Sequence, residues 1–336
     1  MQKKLKSIGT QLLKLLFSVA LIYWLVSSGK LDFQSLKQLL QPLPLIIGTG
    51  LVAITHCFAT YRWTRFLHSQ DLKVTFIQGF QLNAIGNFFN FAVPGGVGGD
   101  LVKGYYITKA SPHAKMDAAV SVLMDRLSGL LAMSLLALAM LVYRWDLVSQ
   151  QRQLLLIFYT VLTVNLASFA IWAHIFSHRL HQLGWVEAAL RLLPKSESFL
   201  KIYRAVSNYR HTKQVFLPAL LLSITGQTIA VFFFVLAGQA LGYNNVPLST
   251  YFVAVPIAFM VQSLPLSPAG VGVAQTASYF IFELLTPGSG PLGSVSTTAF
   301  QIAQFIFGLL GAYFYLGISK KLKNSNPTRP QTEEYS

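Results

Sequence analysis

Six blocks of apolar residues, each near the ~20 needed to cross a hydrocarbon core of ~30 Å, decide which solvent this chain can fold in. They lie at 11–27, 43–61, 116–142, 154–176, 215–241 and 295–318. Soluble folds bury apolar stripes and rarely contain several helices that are apolar all round. Only 11% of the residues are charged and 53% are hydrophobic, where a soluble domain carries about a quarter charged. The expected fold is an all-α membrane protein with about six full transmembrane helices. Two further apolar stretches, 76–106 and 250–285, are interrupted by Gly and Pro and predict broken, re-entrant helical hairpins.

The net charge of +15 invites a nucleic-acid reading until its distribution is laid on these spans. With the N-terminus inside, Lys30, Lys37, Arg144 and Arg152 fall outside and Arg126 falls within a span. The remaining Lys and Arg collect on the inner side, as the positive-inside bias requires. The charge therefore reports topology and attraction to anionic lipid heads. No RNA- or DNA-binding motif is present, and nucleic acid is not an expected partner. Both termini are expected in the cytoplasm.

A single cysteine, Cys57, excludes an intramolecular disulfide framework and a Cys-based zinc cluster. His174, His178 and His181 recur at helical spacing beside Arg179, a pattern of a basic membrane-edge face rather than of a metal site. No metal and no cofactor is expected. At the N-terminus, Lys3, Lys4 and Lys6 before an apolar run resemble a signal peptide. Ser27-Ser28-Gly29 is a poor cleavage site and Tyr23-Trp24 suits an interfacial anchor, so a retained first helix is expected. Residues 324–336 are polar and predict a disordered tail. In the loop 177–213, Leu180, Leu183, Val186, Leu190, Leu193, Phe199, Ile202 and Val206 alternate with basic residues, as in helices lying on the inner leaflet. That loop is too short for an independent catalytic domain.

The two broken stretches repeat each other. Pro94, Gly96, Val97 and Gly98 recur as Pro268, Gly270, Val271 and Gly272 at an offset of 174. The same offset carries 43–61 into the span 215–241 and 116–142 over the last span; the first spans do not match at it. The chain thus reads as one membrane domain, 1–323, in halves of about 1–148 and 149–323. Each half has three full crossings, an odd number, so the second half is expected to be inverted. Broken helices meeting within an inverted repeat are the architecture of secondary transporters.

Non-helical backbone at membrane depth is tolerated only where protein covers it or water fills a cavity. Glycines there permit turns at positive φ and bring bare N–H groups close to a ligand. The half-helix starting near Asp100 would point its positive end at the gap, which favours an anion. No Gly-Lys-Ser/Thr follows, so the run is not a Walker loop. Asn83, Asn87 and Asn90 form one polar stripe at i, i+4 and i+7. Two readings of it stay open, a hydrophilic cavity wall and interhelical glue. The equivalent positions in the second half are Ile257, Val261 and Leu264, so a site here is expected to be lopsided. Asp100 either caps its helix or holds Lys103 one turn on. Asp125 and Arg126 lie within an apolar span, where a central charge costs about 2.5–3.5 kcal/mol. As sequence neighbours they cannot pair face to face, so each needs its own partner. Arg126 facing the hairpin would offer a fixed cation to a phosphate. The candidate substrate-binding residues are Asn83, Asn87, Asn90, Gly95, Gly96, Gly98, Gly99, Asp100, Lys103 and Arg126, with Pro268, Gly270 and Gly272 from the second hairpin.

Three stretches also carry a family resemblance. Pro94-Gly95-Gly96-Val97-Gly98-Gly99-Asp100 resembles the Pro-Gly-Gly-x-Gly-Gly-Asp signature of the lysylphosphatidylglycerol synthase transmembrane region. Asp125-Arg126-Leu127-Ser128-Gly129 resembles its acidic-Arg-x-x-Gly element. Pro265-Leu266-Ser267-Pro268-Ala269-Gly270-Val271-Gly272 resembles its second signature. That signature usually continues Gly-x-Arg-Glu, whereas Val273-Ala274-Gln275 follow here, so no charged role carries over. The resemblance spans about residues 10–320 and implies the flippase part, which moves a modified phospholipid between leaflets. The 336 residues leave no room for a soluble aminoacyl-transferase domain, and lysyl transfer is not implied.

The expectation is a flippase-like or transporter-like protein of the bacterial inner (plasma) membrane, whose partners are lipids with anionic or lipid-linked heads. An alternative is an intramembrane enzyme, or an enzyme's membrane subunit, acting on a lipid-linked sugar or isoprenoid. No carboxylate pair or His/Asp pair sits together at a membrane surface to support it. A third reading is a scaffold that recruits a soluble lipid-synthesis enzyme through 177–213. The oligomeric state is open.

Overall fold

The computed structural model describes residues 2–93, 98–111, 113–177, 185–192 and 196–324, with side chains between 12 and 317, Trp185 excepted. Every element is helical: α1 (Gln2–Ser27), α2 (Phe33–Leu39), α3 (Pro42–His68), α4 (Phe76–Ala92), α5 (Gly98–Ala110), α6 (Lys115–Tyr143), α7 (Trp145–Val148) and α8 (Arg152–Phe176). Then come α9 (Trp185–Arg191), α10 (Ser196–Asn208), α11 (Lys213–Ala240), α12 (Leu248–Gln262), α13 (Val273–Leu285) and α14 (Gly290–Asn324). No strand occurs among the described residues. The chain is an all-α membrane protein.

Local chemistry sets the boundaries. Asp32 caps α2 by accepting from the backbone of Gln34 and Ser35, and Thr75 with Gln78 forms a capping box at the start of α4. The two apolar stretches break where the glycines predict, into α4 and α5 and into α12 and α13. Between the latter two, a 3₁₀ turn at Pro268–Gly270 is followed by Gly272 at φ +83°, a left-handed value that only Gly adopts without strain. Pro94, Gly95, Gly96 and Val97 lie outside the described residues.

Among the described residues, five helical runs are long and apolar enough to cross a membrane: α3, α6, α8, the run ending in α11, and α14. The described apolar parts of α1 (Leu12–Ser27) and α12 are shorter, although α1 itself runs 26 residues from Gln2. The spans also run longer than expected. α3 continues to His68, so Arg62 and Arg65 belong to the helix and not to an inner loop.

The offset of 174 reaches the helix ends: α3, α4, α5 and α6 correspond to α11, α12, α13 and α14 within a few residues. Packing follows the same exchange. α3 packs on α11, α4 on α14 and α12 on α6, α5 on α6 and α13 on α14, the pattern expected when one half is related to the other by a two-fold axis. The halves differ in what fills them. The second holds an aromatic cluster in which Phe259 and Phe300 stack with centroids 5.0 Å apart and Phe234 meets both. The first holds charges.

Long-range polar contacts define the two ends of the bundle. At one end Ser294 donates to Lys30 O, Gln38 to Ala240 O and Arg144 to Ser249. At the other, His174 meets Tyr203 at 2.9 Å and Asn208 donates to Asp117. There α10 packs on α6 and α8 with Ala205 buried, while Phe199 and Ile202 stay exposed. His178 and His181 lie outside the described residues.

Candidate functional site

A cavity of about 530 Å³ opens between α3, α4, α5, α6, α11 and the second hairpin. Five charged side chains reach it: Arg62 from α3, Asp100 and Lys103 from α5, and Asp125 and Arg126 from α6. Such groups are tolerated at membrane depth only with partners, and each has one. Asp125 accepts from Arg62 Nε at 2.8 Å through one oxygen and lies 3.4 Å from Lys103 Nζ through the other. All three are buried. Arg62 also donates to Ser223 of α11 at 2.9 Å, and Ser223 in turn meets Ser128 at 3.0 Å. The Lys103 ammonium stands 3.7 Å from the centre of the Trp63 ring, a cation–π contact that replaces part of its lost hydration.

Arg126 pairs elsewhere. Its guanidinium is 2.7 Å from Asp100, and the pair is more open, with side chains 49% and 26% exposed. The sequence neighbours therefore do find separate partners, as helical geometry demands. Of the two readings of Asp100, the one in which it holds Lys103 is corrected: Asp100 holds Arg126, and Asp125 holds Lys103. These contacts account for the whole Asp125–Gly129 element. Gly129 supplies the flat surface beside the Arg62 guanidinium, where an added Cβ would sit 3.3 Å from Arg62 Nη1.

The Asn stripe does both things left open. Asn83, Asn87 and Asn90 all line the cavity, yet each also ties backbone or side chain together. Asn83 donates to Thr60, Asn87 to Gln304 O, and Asn90 accepts from Gly99 N at 3.0 Å. Gly98, Gly99, Pro268, Gly270 and Gly272 are not among the cavity-lining residues. Gly99 lets α5 lie against α4, since an added Cβ would collide with the carbonyl of Gly86. Gly272 serves α1, with Ser18 O and Leu21 where its Cβ would be. Gly95 and Gly96 lie outside the described residues.

The second hairpin is less apolar than the offset comparison predicts. Gln262 donates to Ala269 O and approaches Gln304 Oε1, and Gln262, Ser263, Ala269 and Gln304 all line the cavity. Ile257, Val261 and Leu264 are not among its lining residues. Sequence reasoning missed Arg62, His56, Gln227 and Gln304. The first looked like a flanking charge, and the others are single polar residues in apolar runs, the one signal that could have found them. His56 stacks on Phe307 with centroids 4.3 Å apart, and Gln227 Oε1 is buried with no hydrogen-bond partner among the described residues. No group of three or more metal-ligating side chains occurs among the described residues.

A helical bundle with two broken hairpins and a charged cavity at their junction defines a multi-pass membrane protein with an internal polar site. The chain belongs to the lysylphosphatidylglycerol synthase transmembrane region family, whose model matches residues 11–312. No curated protein and no solved structure matches it.

Proposed function

We propose that the protein moves, or binds for movement, a lipid with an anionic head across the bacterial inner membrane, with its termini in the cytoplasm. One observation carries this reading: three cations, Arg62, Lys103 and Arg126, face two carboxylates, Asp100 and Asp125, in one cavity. One positive charge is left for a ligand to neutralise. At low dielectric such an excess attracts an anion far more strongly than in water. Arg126 is the group best placed to engage a phosphate, because its ion pair is the open one and a guanidinium binds phosphate in a bidentate fork. A phosphate entering there competes with Asp100 for Arg126. The acyl chains would remain in the bilayer beside the cavity.

The test is movement of acyl-labelled phosphatidylglycerol in proteoliposomes, followed by reductive quenching of the exposed label. Arg126→Gln should slow movement about tenfold, the effect of roughly 1.4 kcal/mol, and Lys103→Gln comparably. Asn87→Ala should do less, and Asp100→Asn should tighten lipid binding by freeing Arg126. A wild-type protein no faster than empty vesicles would remove the proposal.

A further inference from the structure

We infer that the head group this cavity selects is a phosphate bearing a neutral, hydroxyl-rich substituent, and that a lysyl-substituted head is excluded. The inference rests on the lipid-moving reading above and names its substrate class.

The exclusion follows from how the carboxylates are used. A lysyl ester on a phosphatidylglycerol head adds two ammonium groups to one phosphate, so the head is cationic overall. To hold it, a cavity needs carboxylate charge in excess of its own cations. Asp125 already faces two cations, Arg62 at one oxygen and Lys103 at the other. Asp100 is held by Arg126 through both of its oxygens. Among the described residues no other Asp or Glu lines the cavity. A lysyl ammonium would therefore meet an excess of fixed cations at close range, and like charges at low dielectric repel strongly.

The neutral part of the head is read from the rest of the lining. The cavity is also lined by Gln227, Gln262, Ser263, Gln304 and His56, which offer hydrogen bonds without a fixed charge. Gln227 Oε1 is buried without a partner among the described residues, and a buried acceptor left unsatisfied carries a penalty that a ligand hydroxyl would relieve. Phe259 and Phe300 add apolar surface to the same lining. Charged groups and amides lining one cavity match a phosphate joined to a glycerol- or sugar-like group.

The experiment uses the full chain in phosphatidylcholine vesicles with three acyl-labelled lipids: phosphatidylglycerol, phosphatidic acid and lysylphosphatidylglycerol. Phosphatidylglycerol should move about tenfold or more faster than the lysyl lipid, the effect of a ~1.4 kcal/mol difference. It should also outrun phosphatidic acid, which lacks the hydroxyls, and Gln227→Leu should narrow that second ratio. Equal or faster movement of the lysyl lipid overturns this inference and leaves the lipid-moving reading standing. If no lipid moves faster than in empty vesicles, that reading fails, and binding to the purified chain decides the inference. Thermal stabilisation by phosphatidylglycerol above that by the lysyl lipid then supports it, and the reverse order overturns it.

Discussion

The guanidinium of Arg62 and the carboxylate of Asp125 meet at 2.8 Å although 63 positions separate them in the chain. The other carboxylate oxygen takes Lys103, and the far end of the guanidinium takes Ser223. One acidic side chain of α6 thereby joins α3 and α5, and α11 through Arg62. Charge neutrality is incomplete, because one carboxylate faces two cations.

Removing either partner should therefore not be equivalent. Asp125→Asn strands two buried cations side by side, and breaking a buried pair this way costs about 3–5 kcal/mol. Arg62→Gln leaves Asp125 still paired to Lys103 and should cost less. The double variant Asp125→Asn/Arg62→Gln leaves a single cation and should be milder than Asp125→Asn alone. Thermal unfolding of the four proteins in one detergent checks the order. Losses that simply add would mean that the two side chains do not act together.

The crossing of the first hairpin's arms depends on Gly99. An added Cβ would press on the Gly86 carbonyl and lie 2.6 Å from Asn90 Oδ1, so α5 would have to move off α4. Gly99→Ala should lower stability by about 1–3 kcal/mol, the usual effect of overpacking. Gly104, one helical stretch on, has nothing within 4 Å of an added Cβ. Gly104→Ala should be neutral or stabilising by up to ~1 kcal/mol, the helix-propensity gain. Equal melting temperatures for the two variants would contradict the close packing.

Gln275 stands where the family's second signature has a charge, and from the sequence its removal is expected to affect lipid movement less than loss of Arg126, Lys103 or Asn87. In the structure it is buried, accepts from Gly272 N at 2.8 Å and donates to Gln301 at 2.8 Å. Gln275→Ala leaves Gly272 N–H and Gln301 Oε1 without these partners, each worth about 1–3 kcal/mol when buried. The expected outcome is a clear fall in unfolding temperature with no change in the ratio of lipids moved. A changed ratio at unchanged stability would put Gln275 in the site instead.

Much of this architecture is legible because it rests on local rules. Apolar length gives the helices, Gly and Pro give the breaks, and the offset between Pro94 and Pro268 pairs the halves before any contact is known. Charge partners are legible only in part. That Asp125 and Arg126 must part ways follows from helix geometry, but which cations they find depends on how α3 and α5 pack on α6. Arg62 illustrates the limit. It lies at the end of an apolar run, and whether such an Arg flanks the membrane or turns inward is decided by a carboxylate two helices later. The glutamines of the second hairpin were hidden for a related reason. An exact offset compares single positions, whereas α4 and α12 present different faces to the same cavity.

Asp32 offers a pH test away from the membrane-embedded site. Its carboxylate accepts from Ser35 Oγ at 2.6 Å, Ser35 N at 2.8 Å and Gln34 N at 3.0 Å. These bonds, the Ser35 hydroxyl foremost, hold its carboxyl below the ordinary value. A lowered folded-state pKa gives stabilisation that is present above the unfolded value of about 3.9 and lost as pH falls through the folded one. Intrinsic-rate-corrected amide exchange at Gln34 and Ser35 should be flat near neutrality and accelerate below about pH 4. In Asp32→Ala that acceleration should be absent.

The topology of the chain bears on the relation between the halves. The contacts Lys30–Ser294, Gln38–Ala240 and Arg144–Ser249 gather at one end of the bundle, and Asp117–Asn208 and His174–Tyr203 at the other. The first end carries few of the basic residues and the second many, so the positive-inside bias turns the second toward the cytoplasm. With Cys57 replaced, cysteines introduced at Lys37, Arg152 and Asn244 should react with an impermeant reagent from outside. Those at Lys73 and Arg191 should react only after the membrane is opened. Arg191 and Asn244 are the decisive pair, because α11 alone crosses between them. Opposite sides for those two, together with opposite sides for Lys37 and Lys73 across α3, make α3 and α11 antiparallel. Finding Arg191 and Asn244 on one side would make α11 a re-entrant helix, and the second half could not then be the first half inverted.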